Sequence, residues 1–182
     1  MDQGLIPKRY AKAIYEVALE NGTQKDLYGK MNRISSAFAA EPGLNATLNN
    51  PFVSVSDKEG LVYTAAGANA DDKELSSVLG LLKHNGRIGM MRDIAIAYEN
   101  IYRKENKIYR VVVTAAAPME PAEENRLKEL IESHLGGAAM EYTFRVDPDL
   151  IGGFTVGIEN ERLDASVKNE LKQLRLKLLS KN

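Results

Sequence analysis

The apolar residues in the first 105 positions recur at helical spacing, and no other feature of the chain constrains its fold as strongly. The first such segment covers residues 5–20 and has its apolar stripe at Ile6, Tyr10, Ala13 and Val17. Five more segments with the same period follow, separated by short turns such as "ENG" at 20–22 and "HNGR" at 84–87. Helices joined by short turns can bury their stripes only against one another, so residues 1–105 are predicted to form a six-helix bundle.

Three of these helices begin with capping signals, and the first of them is Thr23, three residues before Asp26, at the start of the second helix. Ser56 precedes Glu59 by three residues, which is the spacing of a capping box. Asp71 stands just before the stripe of the fifth helix, and we expect its carboxylate to accept hydrogen bonds from the free amides of the first turn.

From Lys107 onward the period changes, and residues 106–182 are predicted to form a separate α+β domain. Three strands are expected at "IYRVVVTAAA", "MEYTFRV" and "IGGFTVGI", with a helix between the first two that ends at Gly136 and Gly137. The last helix has its stripe at Val167, Leu171, Leu174 and Leu178. The order strand, helix, strand, strand, helix gives a mainly α chain with a small α+β part.

Composition excludes several classes of function. The chain has no cysteine, so disulfides and cysteine-based zinc or redox sites are absent. The net charge of −1 provides no overall field that attracts nucleic acid. The N-terminus lacks the apolar core of a secretion signal, and no apolar run approaches the roughly 18 residues of a membrane span.

Charge is nevertheless uneven in the last third of the chain. Residues 120–132 carry five glutamates against Arg126 and Lys128, whereas the tail from Lys168 is basic, with Lys168, Lys172, Arg175, Lys177 and Lys181 against Glu170. Such runs mark solvated helix faces or two helices that attract each other.

The most particular stretch is "VDPDLIGGFTV" at 146–156. A phosphate loop needs glycines that lead into the N-terminus of a helix, whereas Gly152 and Gly153 lead into a strand. Asp147 and Asp149 alone make a poor metal site, because no histidine lies nearby in the sequence. We therefore expect a turn at the aspartates, followed by a bulge or a close backbone approach at the glycines.

No residue pattern points to catalysis, a cofactor or a metal. His84 and His134 are the only histidines, and each ends a predicted helix, where a cation interacts favourably with the helix dipole. From the residues alone the chain is a binding module. Two rivals stay open: an enzyme that uses Gly152 and Gly153 with Asp147 or Asp149, and a scaffold or nucleic-acid adaptor.

Four stretches resemble one protein family, in the same order along the chain. They are "RYAKAIYEVA" at 9–18, "LGLLKHNGRIGMM" at 79–91, "VVVTAAAPM" at 111–119 and "VDPDLIGGFTVGIENERLDASVKNELKQLRLKL" at 146–178. The family is the delta subunit of F-type ATP synthases, with the oligomycin-sensitivity-conferring protein as its mitochondrial counterpart. The resemblance spans nearly the whole chain.

The resemblance implies a non-catalytic subunit of the peripheral stalk, or stator. Such a subunit links the catalytic α/β head to the membrane-anchored b subunits, so that proton- or sodium-driven rotation is coupled to ATP synthesis. Residues 1–105 would bind the N-terminal helix of an α subunit, and residues 106–182 would contact the b subunits. The resemblance further implies a protein that is monomeric when isolated and binds no nucleic acid. It would lie on the cytoplasmic side of the bacterial inner membrane and be attached there only through the ATP synthase complex.

The family binds the α-subunit helix in a groove between its first and fifth helices, and both helices here have surplus apolar residues. Ala11, Tyr15, Ala18 and Leu19 form a second apolar strip, opposite the stripe that is expected to face the core. The residues expected to form the groove are Tyr10, Ala11, Ile14, Tyr15, Ala18, Leu19, Val78, Leu79, Leu81 and Leu82. Alternatively, these helices are simply central in the bundle.

The last helix has a milder surplus of the same kind. Leu176 lies opposite the stripe of that helix, on the face that carries Lys172. We expect Leu176 and Lys172 to contact the b subunits.

Overall fold

The structure is a computed structural model, and it describes residues 4–159 and 161–179. The chain divides into two compact units, Met1–Glu105 and Asn106–Asn182. Among the described residues, no helix has the length and apolar character needed to cross a membrane.

The first unit is helical. Its elements are α1 (Leu5–Glu20), α2 (Gln24–Ala40), α3 (Gly43–Asn49), α4 (Val55–Ala66), α5 (Lys73–His84) and α6 (Met91–Glu105), with a 3-10 turn at Ile88–Met90 before α6. α1 and α2 both pack along α6, which is therefore the central helix of the bundle. The structure confirms the helical bundle that the periodicity predicts.

Tyrosines fix the contacts that α6 makes with α1 and α2. The ring of Tyr15 meets those of Tyr98 and Tyr102 edge-on, with centroids 5.8 and 6.4 Å apart, and Tyr28 stacks on Tyr102 at 4.2 Å. The Tyr98 hydroxyl donates a hydrogen bond to the backbone carbonyl of Gln24 at 3.1 Å. Burial, together with the neighbouring Tyr15 and Tyr102, raises the pKa of Tyr98, so the hydroxyl stays protonated as this donor.

Thr23 is the N-cap of α2, as predicted, although its side chain makes no capping hydrogen bond, whereas the predicted N-caps of α4 and α5 are wrong by one or two residues. The backbone turns helical after Ser54, not after Ser56, and the Ser54 hydroxyl accepts a hydrogen bond from the Asp57 amide at 3.1 Å. Asp72 caps α5 in place of Asp71, and its carboxylate accepts from the Leu75 amide at 3.0 Å. Asp72 is also paired with Lys30 of α2, a contact that the local sequence does not indicate.

The second unit is a sheet with helices. Its elements are β1 (Tyr109–Ala115), α7 (Pro121–His134), β2 (Met140–Val146), a 3-10 turn (Pro148–Leu150), β3 (Gly153–Ile158), β4 (Glu161–Ser166) and α8 (Val167–Leu179). The strand order is β2-β1-β3-β4, with β1 and β2 parallel and the other pairs antiparallel. α7 connects the parallel pair, and its Ile131 packs in one core with Val111, Val113 and Val156.

The predicted order of the second unit misses β4. The fold class of a mainly α chain with a small α+β part is confirmed, but the strand count of three is wrong. "ERLDAS" has one large apolar residue, Leu163, and no β-branched residue, so it carries no strand pattern of its own. It becomes a strand because it pairs along the free edge of β3.

The stretch at 146–156 is a structural turn. The Asp147 carboxylate accepts a hydrogen bond from the Asp149 amide at 3.0 Å at the start of the 3-10 turn. Gly153 has φ +72°, and a Cβ there would overlap the carbonyl oxygen of Ala165 on β4. Because the glycine lets β3 and β4 approach each other, the expected close backbone approach is confirmed.

Candidate functional site

An apolar groove lies between α1 and α5, with a volume of about 370 Å³. Side chains of α1 and α5 form its walls, and Leu27 of α2 also lines it. Its apolar lining consists of Ala13, Ile14, Val17, Ala18, Leu27, Val78 and Leu81, with Ser77 between them. A concave apolar strip between two helices is the shape that accepts the apolar face of a third helix.

Side-chain size keeps this groove open. Ile14, Ala18 and Val78 are buried and form its floor, whereas Ala13 is small enough to leave the space above them empty. Val17 is 56% exposed and Leu81 is 42% exposed, so both present apolar surface to whatever enters. An exposed apolar surface of this kind, rimmed by polar residues, marks an interaction site.

The predicted orientation of α1 is reversed. Ala13 and Val17 were expected in the core but are exposed, while Ala11 and Tyr15, expected on the outer strip, are buried. Both strips of the helix are apolar, so the period alone gives two candidate core faces. Tyr15 decides between them, because its ring fits between Tyr98 and Tyr102 of α6.

The groove residues expected from the sequence therefore fall into three groups. Ile14, Ala18, Val78 and Leu81 do line the groove, whereas Ala11, Tyr15, Leu79 and Leu82 lie in the bundle interior. Tyr10 and Leu19 do not line it.

The sequence reasoning missed Ala13, Val17, Leu27 and Ser77, together with the polar ends of the groove at Asn21, Thr23, Lys73 and Glu74. A signal for the missed α1 residues was present. Positions 13, 14, 17 and 18 form one continuous strip at i, i+1, i+4 and i+5 of a helix.

Tyr10 has a structural contact instead. The Arg87 guanidinium, in the turn after α5, donates a hydrogen bond to the Tyr10 hydroxyl at 2.9 Å. The guanidinium carbon also lies 5.2 Å from the centre of the Tyr10 ring. The pair ties α1 to the chain just beyond α5, so it helps to hold the two groove helices in place.

A buried lysine anchors the start of α5. The ammonium group of Lys30 on α2 lies 2.5 Å from Asp26, 2.6 Å from Asp72 and 3.3 Å from Glu74, and the Lys30 side chain is only 9% exposed. Glu74 also lines the groove, so this cluster connects α2 to the groove wall. We call Lys30 with its three carboxylates the Lys30 cluster.

In the Lys30 cluster, the effect of hydrogen bonds on the pKa values of Lys30 and Asp72 exceeds the opposing effect of burial. Burial alone would lower the pKa of Lys30, but its hydrogen bonds to Asp26 and Asp72 raise that pKa above the ordinary value. Burial alone would raise the pKa of Asp72, but the hydrogen bonds from Lys30 and from the Leu75 amide lower it. Both groups therefore remain charged near neutral pH.

A second apolar groove lies in the second unit, between α7 and the β3–β4 hairpin, with a volume of about 410 Å³. Its lining includes Leu127, Leu130 and Ile131 from α7, with Phe154, Val156 and Leu163 from the sheet. Leu130 and Leu163 are both largely exposed. α7 packs on the apolar side chains of β1, β2 and β3, whereas the edge strand β4 contributes no residue to this core.

α8 presents the residues expected to contact a partner. Lys172 and Leu176 are both exposed, as is Leu171. The predicted stripe and basic tail also include Leu174, Arg175, Lys177, Leu178 and Lys181, whose side chains lie outside the described residues.

The Asp164 and Ser166 motif caps α8. The Ser166 hydroxyl accepts from the Asn169 amide at 3.2 Å and donates to the Asp164 carboxylate at 2.6 Å. That hydrogen bond lowers the pKa of Asp164. The motif is therefore structural.

The histidines also have structural positions. His84 and His134 lie in the last turns of α5 and α7, as predicted, and both are exposed. Within residues 4–159 and 161–179, no group of three or more histidine, aspartate or glutamate residues has an arrangement that could hold a metal ion.

Comparison with known proteins gives a consistent result. The family "ATP synthase delta (OSCP) subunit" matches residues 6–178. The "ATP synthase subunit delta" of Bacteroides thetaiotaomicron is 36% identical over 183 residues, covering 100% of this chain and 98% of the relative. The protein of the same name from Parabacteroides distasonis is 36% identical over 179 residues, covering 98% of each.

A solved structure shares the fold. One chain in the cryo-EM structure of the Toxoplasma gondii mitochondrial ATP synthase hexamer matches with a TM-score of 0.73. The match covers 95% of this chain and 97% of the other at 21% identity, so it supports the fold alone.

Proposed function

Because the chain belongs to the ATP synthase delta (OSCP) subunit family, it is a component of the peripheral stalk, and we propose that it holds the catalytic α/β head to the b subunits. Members of this family are non-catalytic subunits of the ATP synthase. In this role the chain resists the torque of the rotor, which requires two separate docking surfaces. The described residues of each unit include an apolar groove that would serve as one of them.

The groove between α1 and α5 is the proposed seat of the N-terminal helix of an α subunit. Residues 13–21 span about 12 Å at about 1.5 Å per residue, which is room for roughly two turns of a docked helix. An amphipathic helix would place apolar anchors over Ala13 and Val17 on one wall and Leu81 on the other. The exposed apolar surface at Val17 and Leu81 is the single observation that carries this proposal.

Titration of the full chain with the α-subunit N-terminal peptide tests the seat directly. Val17→Glu puts a charge into the apolar contact and is expected to weaken binding by at least about tenfold. Leu19→Glu is the matched control, because Leu19 is 53% exposed on the same helix, against 56% for Val17, but does not line the groove. Equal affinities for the two variants would place the peptide elsewhere.

The second unit is proposed to contact the b subunits. The exposed Lys172 and Leu176 of α8 offer a basic and an apolar contact, and the groove at Leu130 and Leu163 offers a larger apolar one. Leu176→Glu and Leu130→Glu test the two surfaces separately against a C-terminal segment of the b subunit. If a variant leaves the affinity unchanged, the surface that carries its substitution does not contact the b subunit.

We place the protein on the cytoplasmic side of the inner membrane, attached only through the complex and monomeric when isolated. Sedimentation of the purified chain checks the oligomeric state. Release from membranes when the stalk is disassembled, without detergent, checks the mode of attachment. Retention of the chain on membranes that lack the other ATP synthase subunits would contradict attachment through the complex.

A further inference from the structure

Two asparagines in the chain are followed by glycine, and each pair ends one of the two groove helices. Asn21 and Gly22 follow α1, and Asn85 and Gly86 follow α5. In such a pair the glycine has no side chain that would hinder its backbone nitrogen from attacking the side chain of the asparagine. This attack converts asparagine to an acid without an enzyme, so both pairs are chemically competent for the same modification.

The two pairs have the same backbone arrangement, which makes them an internal comparison. Asn21 and Asn85 both have ψ close to zero, at −7° and 2°, and the glycines after them have φ +71° and +63°. In each cap the glycine amide donates to a carbonyl, at 3.2 Å to Leu19 and at 3.0 Å to Lys83. Attack requires that amide to leave its carbonyl and turn towards the asparagine side chain, so the cap has to open first.

The Asn85 cap has side-chain bonds that hold it closed. The Asn85 side-chain amide donates to the Leu81 carbonyl at 2.8 Å, and Arg87, two residues later, is itself bonded to Tyr10. Asn21 is exposed, and its side chain has no hydrogen-bond partner among the residues that the structure describes. The Asn21 side chain is therefore free to meet the glycine nitrogen when the α1 cap opens, whereas that of Asn85 must first leave the Leu81 carbonyl.

Asn21 also lines the α1–α5 groove at its polar end, and Asn85 does not line it. The cap at Asn21 uses the carbonyls of two groove residues as acceptors. The Asn21 amide donates to Val17 at 3.1 Å, and the Thr23 amide donates to Ala18 at 2.9 Å. A change in the main chain at residue 21 therefore acts on the turn of α1 that supplies Val17 and Ala18 to the groove.

We propose that Asn21 is a site of spontaneous deamidation, and that its conversion weakens the docking of a helix in the α1–α5 groove. The Gly22 nitrogen forms a bond to Cγ of Asn21 while the Cγ–Nδ2 bond breaks. Ammonia leaves with the former proton of the Gly22 amide, and a cyclic succinimide remains. Water then opens this ring at one of its two carbonyl carbons, which gives aspartate or isoaspartate. Water is the only co-reactant, and no group is oxidised or reduced.

Both products disturb the end of α1. A carboxylate at residue 21 lies at the negative end of the helix dipole. Isoaspartate also adds a carbon to the main chain, so the cap hydrogen bonds to Val17 and Ala18 no longer fit. The converted chain is expected to bind the α-subunit peptide about fivefold more weakly, because binding then has to restore about one cap hydrogen bond. This effect on docking rests on the proposed function, in which the groove is the seat of that peptide.

Incubation of the purified full chain at neutral pH, followed by tryptic mass spectrometry, measures both conversions in one sample. The tryptic peptides 13–25 and 84–87 carry Asn21 and Asn85 separately. Asn21 is expected to convert about fivefold faster than Asn85 in the folded chain, because the Asn85 side chain must first break a hydrogen bond. In urea, where both caps are lost, the two rates should converge.

Two results would overturn the assignment of the site. One is an Asn21 that stays unconverted in the folded chain over a time in which the chain in urea converts completely. The other is faster conversion at Asn85 than at Asn21 in the folded chain.

Asn21→Gln is the matched control for the effect on docking. It keeps the amide group but lengthens the side chain by one carbon, which makes ring closure much slower. The unchanged chain should lose affinity for the α-subunit peptide as Asn21 converts, and Asn21→Gln incubated in the same way should keep its affinity. Equal affinities for the two incubated chains, once Asn21 has converted, would overturn the effect on docking.

Bound peptide separates this inference from the proposed function. Saturating α-subunit peptide should slow conversion at Asn21 and leave conversion at Asn85 unchanged. Conversion at Asn21 that is equally fast with and without bound peptide would overturn the link between this site and docking. Failure of the fresh chain to bind the peptide would overturn the proposed seat, and the rates measured without peptide would still decide whether Asn21 is a deamidation site.

Discussion

Replacing Lys30 with methionine removes the only cation from a cluster of three carboxylates. Asp26 is well exposed and should be solvated after the change, so its loss of a partner costs little. The side chain of Asp72 is only 16% exposed and that of Glu74 only 31%, so both would keep charge in a partly buried site. Breaking a fully buried pair costs about 3 to 5 kcal/mol, and we expect about 2 to 3 kcal/mol here because of this partial exposure.

The pH dependence of this effect follows from the pKa shifts. The folded pKa of Asp72 lies below its ordinary value of 3.8, so its contribution to stability is present above that pH and is lost as the pH falls through the folded pKa. The folded pKa of Lys30 lies above 10.5, so its contribution is present below that pH and is lost as the pH rises through the folded pKa. The difference between Lys30→Met and the unchanged chain should therefore be constant between about pH 5 and 10 and shrink on either side.

Urea unfolding followed by near-ultraviolet circular dichroism measures this difference. Of the 8 tyrosines, all except Tyr109 and Tyr142 lie in the first unit, so the signal reports mainly on the bundle. Lys83→Met is the matched control, because Lys83 pairs with Glu59 at 3.2 Å but is 54% exposed. It should cost at most about 1 kcal/mol. Equal losses of stability for the two variants, or a Lys30→Met loss that persists undiminished at pH 3, would show that the Lys30 cluster does not stabilise the bundle as an ion pair.

Two further substitutions, each with a control variant, test the fold. Gly153→Ala should destabilise the second unit by at least about 2 kcal/mol, because its Cβ would overlap the Ala165 carbonyl. Its control is Gly60→Ala in α4, where the added Cβ meets no atom within 4 Å. This control should be neutral or stabilising by about 1 kcal/mol. Urea midpoints of the two variants that coincide would contradict this close approach. Tyr15→Ala should cost about 3 to 5 kcal/mol through loss of a buried aromatic ring. If Tyr15→Ala lowers the melting temperature as little as Leu19→Ala does, α1 faces the core with the strip that carries Ala13 and Val17.

The sequence predicts the helical elements well because their apolar periods are strong. It predicts the orientation of α1 badly, since both strips of that helix are apolar and only the tertiary contact of Tyr15 with Tyr98 and Tyr102 selects one. The resemblance placed the partner site between α1 and α5, where the structure has an apolar groove, but four of the ten residues named for it, Ala11, Tyr15, Leu79 and Leu82, lie in the bundle interior. Local periodicity carries no information about which of two apolar faces meets α6.

The same limit explains the other errors. β4 exists because β3 offers a free edge, and "ERLDAS" alone carries no strand pattern. Asp72 caps α5 in place of its neighbour, and it also pairs with Lys30, which is far away in the sequence. By contrast, the close approach at Gly153 was predictable, because a glycine pair leading into a strand has few other structural explanations.

We propose that this chain transmits the restraint of the stalk to the head through the α1–α5 groove. Gradient-driven ATP synthesis by membranes carrying Val17→Glu, compared with Leu19→Glu, measures this most directly. Val17→Glu is expected to lower synthesis several-fold while ATP hydrolysis by the head continues, whereas Leu19→Glu is expected to have no effect. Synthesis at the normal rate with Val17→Glu, in complexes shown to contain the folded variant, would mean that the groove does not carry this restraint.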